Sequence, residues 1–207
     1  MSQTPTREAG RRGRPGYDRA AVLEIAVAAF NERGYDGTGM EELAKRLGIT
    51  KSAIYHHVSG KEELLELAVN RAMDALDAIL DEPLADDVSA TARLEHTVRR
   101  SADVLAEELP YVRLLLRLHG NSDVERRALE RRRAFDRRVT ALVAAAADEG
   151  GIRSDIDPAL ASRLLFGAVN SLIEWYRPDG DLPISTVADA LTSILFDGMR
   201  DTGPAEN

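Results

Sequence analysis

Residues 38–65 read TGMEELAKRLGITKSAIYHHVSGKEELL, and this stretch decides how the chain folds. Its opening, Thr38-Gly39-Met40-Glu41, has the spacing of a capping box, in which a Thr hydroxyl and a Glu carboxylate satisfy free amides at a helix start. Gly48 is expected to end this helix, and Thr50 to cap the next one. Two short helices joined by a glycine turn are typical of a helix-turn-helix, whose second helix fits the major groove of DNA.

The second helix of this pair is expected to run from Lys51 to Val58. Ile54 and Val58 lie four residues apart and should both face the core. The outward positions then hold Lys51, Ser52, Tyr55 and His56. These side chains can donate hydrogen bonds to base edges and phosphates, and none of them is acidic. The alternative is a short exposed helix without a function.

Upstream of this motif, a helix with one apolar stripe is expected from about Asp18, which can cap it, to Arg33, with Gly34 closing it. Residues 1–16 are rich in Thr, Arg, Gly and Pro and are expected to form a disordered basic arm. In that arm, Arg12 and Arg14 belong to an Arg-Gly-Arg-Pro segment of a type that fits the narrow minor groove of A·T-rich DNA. A plain disordered tail is the alternative.

The pattern downstream is helical throughout. Ser59-Gly60-Lys61-Glu62 and Ser122-Asp123-Val124-Glu125 have the form of two more capping boxes, each opening a long helix. The chain is therefore predicted to be all-α with about nine helices, an N-terminal three-helix helix-turn-helix domain plus a C-terminal antiparallel helical bundle. The expected limits are 1–16 for the disordered basic arm, 17–62 for the DNA-binding domain, 63–200 for a ligand-binding and dimerisation domain, and 201–207 for a disordered tail.

Charge is unevenly distributed along the 207 residues, whose formal net charge is −8. Residues 1–60 carry nine Lys or Arg against seven Asp or Glu, whereas the remaining 147 carry 18 against 28. Because phosphate binding is a local event, this asymmetry favours a nucleic-acid contact near the N-terminus. The chain has no cysteine and no apolar run of the roughly 18 residues that a membrane span needs, which fits a cytoplasmic protein without membrane contact.

Residues 18–65 contain five characteristic segments, Phe30-Asn31-Glu32-Arg33-Gly34-Tyr35, Glu41-Glu42-Leu43-Ala44, Leu47-Gly48-Ile49, Tyr55-His56-His57-Val58 and Lys61-Glu62-Glu63-Leu64-Leu65. Together with Thr38, they resemble the TetR family of bacterial repressors. The resemblance implies three DNA-binding helices, a connecting fourth helix, and a bundle that binds a ligand and dimerises. It also implies that Lys51, Ser52 and His56 lie near base edges, while Thr38, Tyr55 and Lys61 hold phosphates. The expected DNA-binding set is Arg12, Arg14, Thr38, Thr50, Lys51, Ser52, Ala53, Tyr55, His56, His57 and Lys61.

Residues 111–142 form a basic island in an acidic domain, with nine arginines against four acidic residues. One interpretation is a solvated helix face whose arginines pair with Glu125, Glu130 and Asp136 at i,i+4 spacing. The other is a site for an anionic effector with an apolar tail, because the Arg side chain suits phosphate and carboxylate.

Two segments further on, residues 150–158 (GGIRSDIDP) and 170–180 (NSLIEWYRPDG), resemble a TetR subgroup that responds to acyl-coenzyme A thioesters. In that interpretation, arginines of the long helix meet the phosphates of the coenzyme and aromatic residues line or flank the acyl cavity. For each aromatic residue, a plain core position is the alternative. The expected ligand-binding set is Tyr111, Leu115, Arg131, Phe135, Arg138, Trp175 and Tyr176.

The last two helices are expected to form a dimer seam, because they carry more apolar side chains than one face of a bundle needs. The residues concerned are Leu164, Leu165, Ala168, Leu172, Ile173, Val187, Leu191, Ile194 and Leu195. A dimer places two recognition helices about 34–36 Å apart, one turn of DNA, and predicts a palindromic double-stranded operator.

No spacing typical of a catalytic or metal site is present, since the adjacent His56 and His57 diverge on a helix. The chain is therefore expected to be neither an enzyme nor the carrier of a cofactor or metal. Three alternatives to an acyl-coenzyme A-responsive repressor stay open. They are an activator, a regulator of an efflux or catabolic operon that senses another small hydrophobic molecule, and an acyl-coenzyme A-binding protein or enzyme with a decayed reading head.

Overall fold

The computed structural model describes residues 18–200. Within that range lie nine α-helices and no β-strand, which confirms the all-α prediction. The helices are α1 (Arg19–Arg33), α2 (Met40–Leu47), α3 (Lys51–Ile54), α4 (Lys61–Leu80), α5 (Ala90–Glu107), α6 (Leu109–Leu116), α7 (Asp123–Asp148), α8 (Pro158–Trp175) and α9 (Ile184–Met199).

The ends of α1 follow from its flanking residues. The Asp18 carboxylate accepts the Ala21 N–H at 2.8 Å and so caps the helix start. Gly34 has a φ of 80°, a conformation that favours glycine, and it ends the helix as expected.

The start of α4 is capped differently from the prediction. Gly60 is the cap residue and offers no side chain. The carboxylate that reaches back belongs to Glu63 rather than Glu62, and it accepts the Ser59 N–H at 2.6 Å and the Ser59 hydroxyl at 2.7 Å. The Ser59 backbone and hydroxyl donors, followed by Arg19, lower the pKa of Glu63 below its ordinary 4.5. The predicted capping carboxylate is therefore off by one residue, Glu62 instead of Glu63, because the helix cap is Gly60 and not Ser59.

The predicted cap of α7 is confirmed in part. The Ser122 hydroxyl accepts the Glu125 N–H at 3.2 Å. The buried Glu125 carboxylate, however, accepts the amides of Gly120 at 2.8 Å and Asn121 at 2.6 Å, not that of Ser122. It therefore ties the α6–α7 loop to the start of α7.

Two helices are shorter than expected. α3 ends at Ile54, and residues 55–57 continue as a turn, so the second half of the predicted Lys51–Val58 helix is wrong. The His57 N–H bonds to the Ile54 carbonyl, three residues back, at 2.8 Å, which is the tighter spacing that ends many short helices. The sequence pattern predicts a helix with Pro110 in its first turn that ends near His119-Gly120, whereas α6 ends at Leu116.

One continuous apolar core joins the DNA-binding head, made of α1–α3, to the bundle. In the head, Leu43 and Ile54 are completely buried, as is Leu64 in the first turns of α4. α4 contacts α1 in the head and α5, α6 and α7 in the bundle, while α6 also contacts α1. α4 and α6 therefore both connect the bundle to the head.

Candidate DNA-binding surface and effector site

The turn between α2 and α3 sets the angle between these two helices. Gly48 adopts a left-handed φ of 64°, and the following Ile49 N–H donates to the Ala44 carbonyl at 3.1 Å. The Thr50 hydroxyl then accepts the Ala53 N–H at 3.2 Å and caps α3. All these contacts are local, so the conformation of the turn is defined by its own residues.

The inward face of the second helix is as predicted, because Ile54 is 0% exposed and Val58 is 3% exposed. Residues 50–57 form what we call the recognition segment. Thr50, Lys51, Ser52, Tyr55 and His56 are exposed in it, whereas Ala53 and His57 are half-buried. The structure thus brings seven of the expected DNA-binding residues together in one segment whose orientation is fixed by two buried side chains.

A carboxylate lies beside the recognition segment, although the segment itself holds no acidic residue. Lys51 Nζ donates to the carboxylate of Glu41, in the first turn of α2, at 3.2 Å. This neighbour was not expected, since it lies ten residues away on the other helix of the motif.

Thr38 corrects the sequence prediction. Its side chain is 0% exposed, and its hydroxyl donates to the Gly34 carbonyl at 2.8 Å. It neither caps α2, which begins after Gly39 without a side-chain cap, nor presents a hydroxyl to a phosphate. The reason is that the loop after α1 folds back, so that Thr38 closes it from within.

Lys61, at the start of α4, is held in place by Tyr35. Its Nζ lies 4.3 Å from the centre of the Tyr35 ring and donates to the Tyr35 carbonyl at 3.2 Å. The lysine makes no ion pair within residues 18–200, so its charge is available at the helix start. Arg12 and Arg14 lie outside the described residues, and their contacts stay predictions.

The bundle contains a small apolar cavity between α4, α5, α6, α7 and α8, with a free volume of about 30 Å³. Leu115 and Phe135, both expected in the ligand site, line it. Its other apolar lining residues are Leu76, Leu105, Val112, Leu116, Phe166 and Val169, and its polar ones are Ser101, Arg132, Asp136 and Asn170. This volume holds about one water molecule, so a larger ligand must open the cavity.

The three other aromatic residues of the expected ligand set do not line this cavity. Tyr111 is buried between α4 and α6, where Arg71 lies 4.2 Å from its ring centre and donates to its hydroxyl at 3.2 Å. Trp175 is 50% exposed at the end of α8, and Tyr176 is buried beside it. Helical spacing placed all three near the bundle but could not show which side of each helix faces the cavity.

The two arginines of the expected ligand set are also turned away from the cavity. Arg131 donates to Asp74 at 2.8 Å and Asp77 at 2.6 Å, and Arg138 donates to Asp81 at 2.5 Å, all in or just after α4. These pairs fasten α7 to α4. Both interpretations of the basic island at residues 111–142 missed this arrangement. One paired these arginines with carboxylates of their own helix and the other with an anionic effector, whereas their partners lie in or just after α4.

A different set of arginines surrounds a surface groove between α7 and α8. They are Arg132, Arg133, Arg137 and Arg163. The groove has a volume of about 540 Å³ and shares Arg132, Asp136, Phe166 and Asn170 with the apolar cavity, so that the two lie side by side. Among residues 18–200, neither a hydrogen bond nor an ion pair engages the side chains of Arg132, Arg137 or Arg163. We call this feature the arginine groove.

Two family models match the chain. Residues 16–68 match the model described as bacterial regulatory proteins, tetR family, and residues 87–199 match the model described as tetracyclin repressor-like, C-terminal domain. The chain belongs to the TetR family. It is therefore a helix-turn-helix transcription regulator, and the prediction that it is not an enzyme is confirmed.

Several TetR-family proteins are similar over most of their length. SCO3833 of Streptomyces coelicolor A3 is 55% identical, with a TM-score of 0.82 over 87% of this chain and 91% of its own. The HTH-type transcriptional repressor KstR2 of Rhodococcus jostii (strain RHA1) is 29% identical over 185 residues, covering 87% of this chain and 90% of KstR2. AibR, solved in complex with isovaleryl coenzyme A and operator DNA, is 26% identical, with a TM-score of 0.72 over 86% of this chain and 97% of AibR.

α8 and α9 expose four large apolar side chains in this TetR-family chain. Leu164 is 60% exposed, Ile194 is 74% exposed, and Leu160 and Trp175 are each 50% exposed. Other residues of the expected seam, Leu165, Leu172, Ile173 and Val187, are instead buried in the bundle core. Leu160 was missed, although its i,i+4 spacing to Leu164 is visible in the sequence.

No helix between residues 18 and 200 is long and apolar enough to cross a membrane. In the same range, no group of three or more His, Cys, Asp or Glu side chains is arranged to hold a metal ion.

Proposed function

We propose that this TetR-family regulator represses transcription by binding a palindromic operator as a homodimer, and that an acyl-coenzyme A thioester releases it. The observation that carries the effector assignment is the arginine groove, which lies directly beside an apolar cavity and shares four lining residues with it. An amphipathic anion fits this pair of sites, and a neutral or cationic molecule would leave the arginines unused. We place the basic arm at 1–16, the DNA-binding domain at 17–62, the ligand-binding and dimerisation domain at 63–200 and the tail at 201–207. The protein is proposed to act in the cytoplasm.

On DNA, Lys51, Ser52 and His56 read base edges, while Thr50, Ala53, Tyr55 and His57 lie along the backbone and groove wall. Lys61 and the amides at the start of α4 hold a phosphate, since a helix start attracts anions. Arg12 and Arg14 reach the minor groove. Thr38 contributes through the fold of its loop and not through its hydroxyl.

In the bundle, the acyl group enters at Phe135 and Phe166, which pack edge to face with ring centres 5.4 Å apart and must separate to admit it. The phosphates of the coenzyme then lie along the arginine groove. This assignment replaces Arg131 and Arg138, whose charges are already satisfied by α4. AibR, which was solved with isovaleryl coenzyme A, supports the choice of effector.

The cavity must enlarge to admit an acyl chain, because one water molecule fills about 30 Å³. Its walls include Leu76 of α4 and Leu115 of α6, so enlargement displaces the two helices that contact the head. At the start of α6, the Pro110 carbonyl accepts a hydrogen bond from the side-chain amide of Asn31 in α1, at 2.8 Å. The two heads of a dimer then lose the spacing of successive grooves, with a coupling free energy typically of about 1–3 kcal/mol.

The effector proposal is tested by titrating a protein–operator complex with isovaleryl coenzyme A, longer acyl-coenzyme A thioesters and the free acids, followed by fluorescence anisotropy. The operator is first selected from random duplexes. We expect the thioesters to weaken operator binding about 5- to 150-fold and the free acids to have little effect. Arg132→Gln with Arg163→Gln should remove the response and leave operator affinity intact. Arg131→Gln is the matched control and should still respond.

Equal operator affinity with and without every thioester would refute this effector. A response to the free acids alone would favour the second candidate, a regulator that senses another small hydrophobic molecule through the apolar cavity.

The dimer is tested separately by sedimentation. Leu164→Glu with Ile194→Glu should give monomers, because both side chains are exposed in the single chain and their apolar surface is what a partner would cover. Asp189→Ala, a substitution on a polar position of α9, should leave the dimer intact. A dimer that survives the double substitution would place the interface elsewhere.

A further inference from the structure

Four residues line both the apolar cavity and the arginine groove, and so form the wall between these two features. They are Arg132 and Asp136 of α7 and Phe166 and Asn170 of α8. Phe166 is apolar, whereas the other three offer a guanidinium that donates hydrogen bonds, a carboxylate that accepts them, and a side-chain amide that does both. A ligand with one part in the cavity and another in the groove has to pass these side chains.

The three polar side chains of this wall are not used by the fold. Among residues 18–200, neither a hydrogen bond nor an ion pair engages the side chain of Arg132, Asp136 or Asn170. On the opposite side of α7, by contrast, Arg127 and Arg131 are paired with carboxylates of α4. Arg132 and Asp136 stay apart although they are four residues apart on one helix, where an arginine that precedes the acid is the weaker orientation.

Asp136 is the member of the wall that loses most when a ligand covers it. Its side chain is exposed, so water hydrates the carboxylate in the free protein. Desolvation by the surrounding protein already raises its pKa above the ordinary 3.8, although Arg132 and two other groove arginines lower it. A ligand that covers the carboxylate removes the remaining water, and without a donor of its own it leaves a charged acceptor unsatisfied. The part of the ligand beside Asp136 therefore has to carry an N–H or O–H group.

We propose that Arg132, Asp136 and Asn170 form a subsite for an amide group in the linker between the apolar and anionic parts of the effector. The carboxylate of Asp136 accepts the amide N–H, and Arg132 or Asn170 donates to the amide carbonyl. In an acyl-coenzyme A thioester, the pantetheine arm carries amide groups in this part of the molecule, between the acyl group and the phosphates. The inference rests on the proposed effector, and it adds that the protein recognises the linker as well as the two ends.

The test compares isovaleryl coenzyme A with an analogue in which an ester replaces the amide nearest the thioester. The ester keeps the carbonyl and nearly the same shape but has no N–H. Calorimetric titration of the full-length protein measures the affinity for each ligand. We expect the wild-type protein to bind the amide about tenfold or more tightly than the ester, the equivalent of one hydrogen bond to a charged group.

Variants of the wall assign this preference to its residues. Asp136→Ala removes the acceptor and should bring the two affinities within about twofold of each other. Because the loss of a negative charge favours both anionic ligands, the ratio of the two affinities is the quantity compared. Asp136→Asn keeps a side-chain oxygen and should retain part of the preference. Asn170→Ala should weaken both ligands by a similar factor, since both keep the carbonyl.

Glu130→Ala is the matched control. It removes a carboxylate from an exposed position of α7 that lines neither the cavity nor the groove, and it should keep the full preference. Equal affinity of the wild-type protein for the two ligands would overturn the amide subsite and leave the proposed effector intact. A preference that survives in Asp136→Ala would also overturn it, because the N–H would then have another acceptor. A wild-type protein that binds its operator but neither ligand would refute the effector proposal and, with it, this inference.

Discussion

Replacement of Thr38 by Val tests whether the Thr38 hydroxyl stabilises the fold or contacts DNA. The two side chains have nearly the same shape, so the change removes the hydroxyl's hydrogen bond to the Gly34 carbonyl at 2.8 Å, its longer contact with the Ala29 carbonyl at 3.4 Å, and little else. A hydrogen bond of this kind contributes about 0.5–1.5 kcal/mol. Residue Gly34 is exposed, so water can reach its carbonyl, and we expect the middle of that range rather than its top, about 1 kcal/mol.

For a chain of this length, about 1 kcal/mol lowers the melting temperature by roughly 2–4 °C. The assay is thermal unfolding by circular dichroism at a fixed protein concentration, combined with anisotropy on the selected operator. Thr38→Val should show the lower melting temperature and operator affinity within about twofold of wild type. Tyr55→Phe is the control, since its hydroxyl is in the exposed recognition segment. It should keep the melting temperature and lose affinity by roughly 2- to 10-fold, the equivalent of one hydrogen bond.

A Thr38→Val variant that melts like wild type but binds the operator several-fold more weakly would refute the argument. That result would instead support the phosphate contact that the family resemblance implies for the Thr38 hydroxyl.

Three further outcomes are expected. Gly48→Ala should destabilise the protein by about 1 kcal/mol, because φ is 64° at this residue, and a melting curve equal to wild type would contradict a left-handed turn. Glu63→Gln should lower the melting temperature at neutral pH, with the difference shrinking as pH falls below 4.5, because a lowered pKa stabilises the fold only while the carboxylate is ionised. A difference that is constant from pH 7 to about pH 3 would exclude this account. Arg131→Ala should cost roughly 1 kcal/mol, since this partly exposed arginine bridges Asp74 and Asp77, and urea unfolding measures it against Arg133→Ala, which should cost less.

The family resemblance and the helical pattern were enough to predict the architecture and most of the recognition segment. The positions of Ile54 and Val58 determine which neighbours point outward, and this depends only on spacing along a short helix. The Thr50 hydroxyl accepts an amide three residues ahead, and the Gly48 amide donates to carbonyls three and four residues back, so their roles were also predictable. The same local reasoning failed by one residue at Ser59, where the cap is a glycine.

The arginines of α7 show where such reasoning ends. Arg131 and Arg138 are seven residues apart and share a face with Arg127, which pairs with Glu66 of α4 at 2.8 Å. Arg132 and Arg137 lie on the other side, toward α8. The sequence shows only that the helix is rich in arginine, because nothing in it tells which neighbouring helix packs on which side.

By itself, then, the sequence determined the features that rest on periodicity and nearby capping, which are the helix-turn-helix, the helix count and the outward face of residues 50–57. The tertiary structure alone decided the burial of Thr38, the pairing of Lys51 with Glu41, and the choice of arginines that surround the groove. Each of these depends on contacts between residues that only the packing of separate helices brings together.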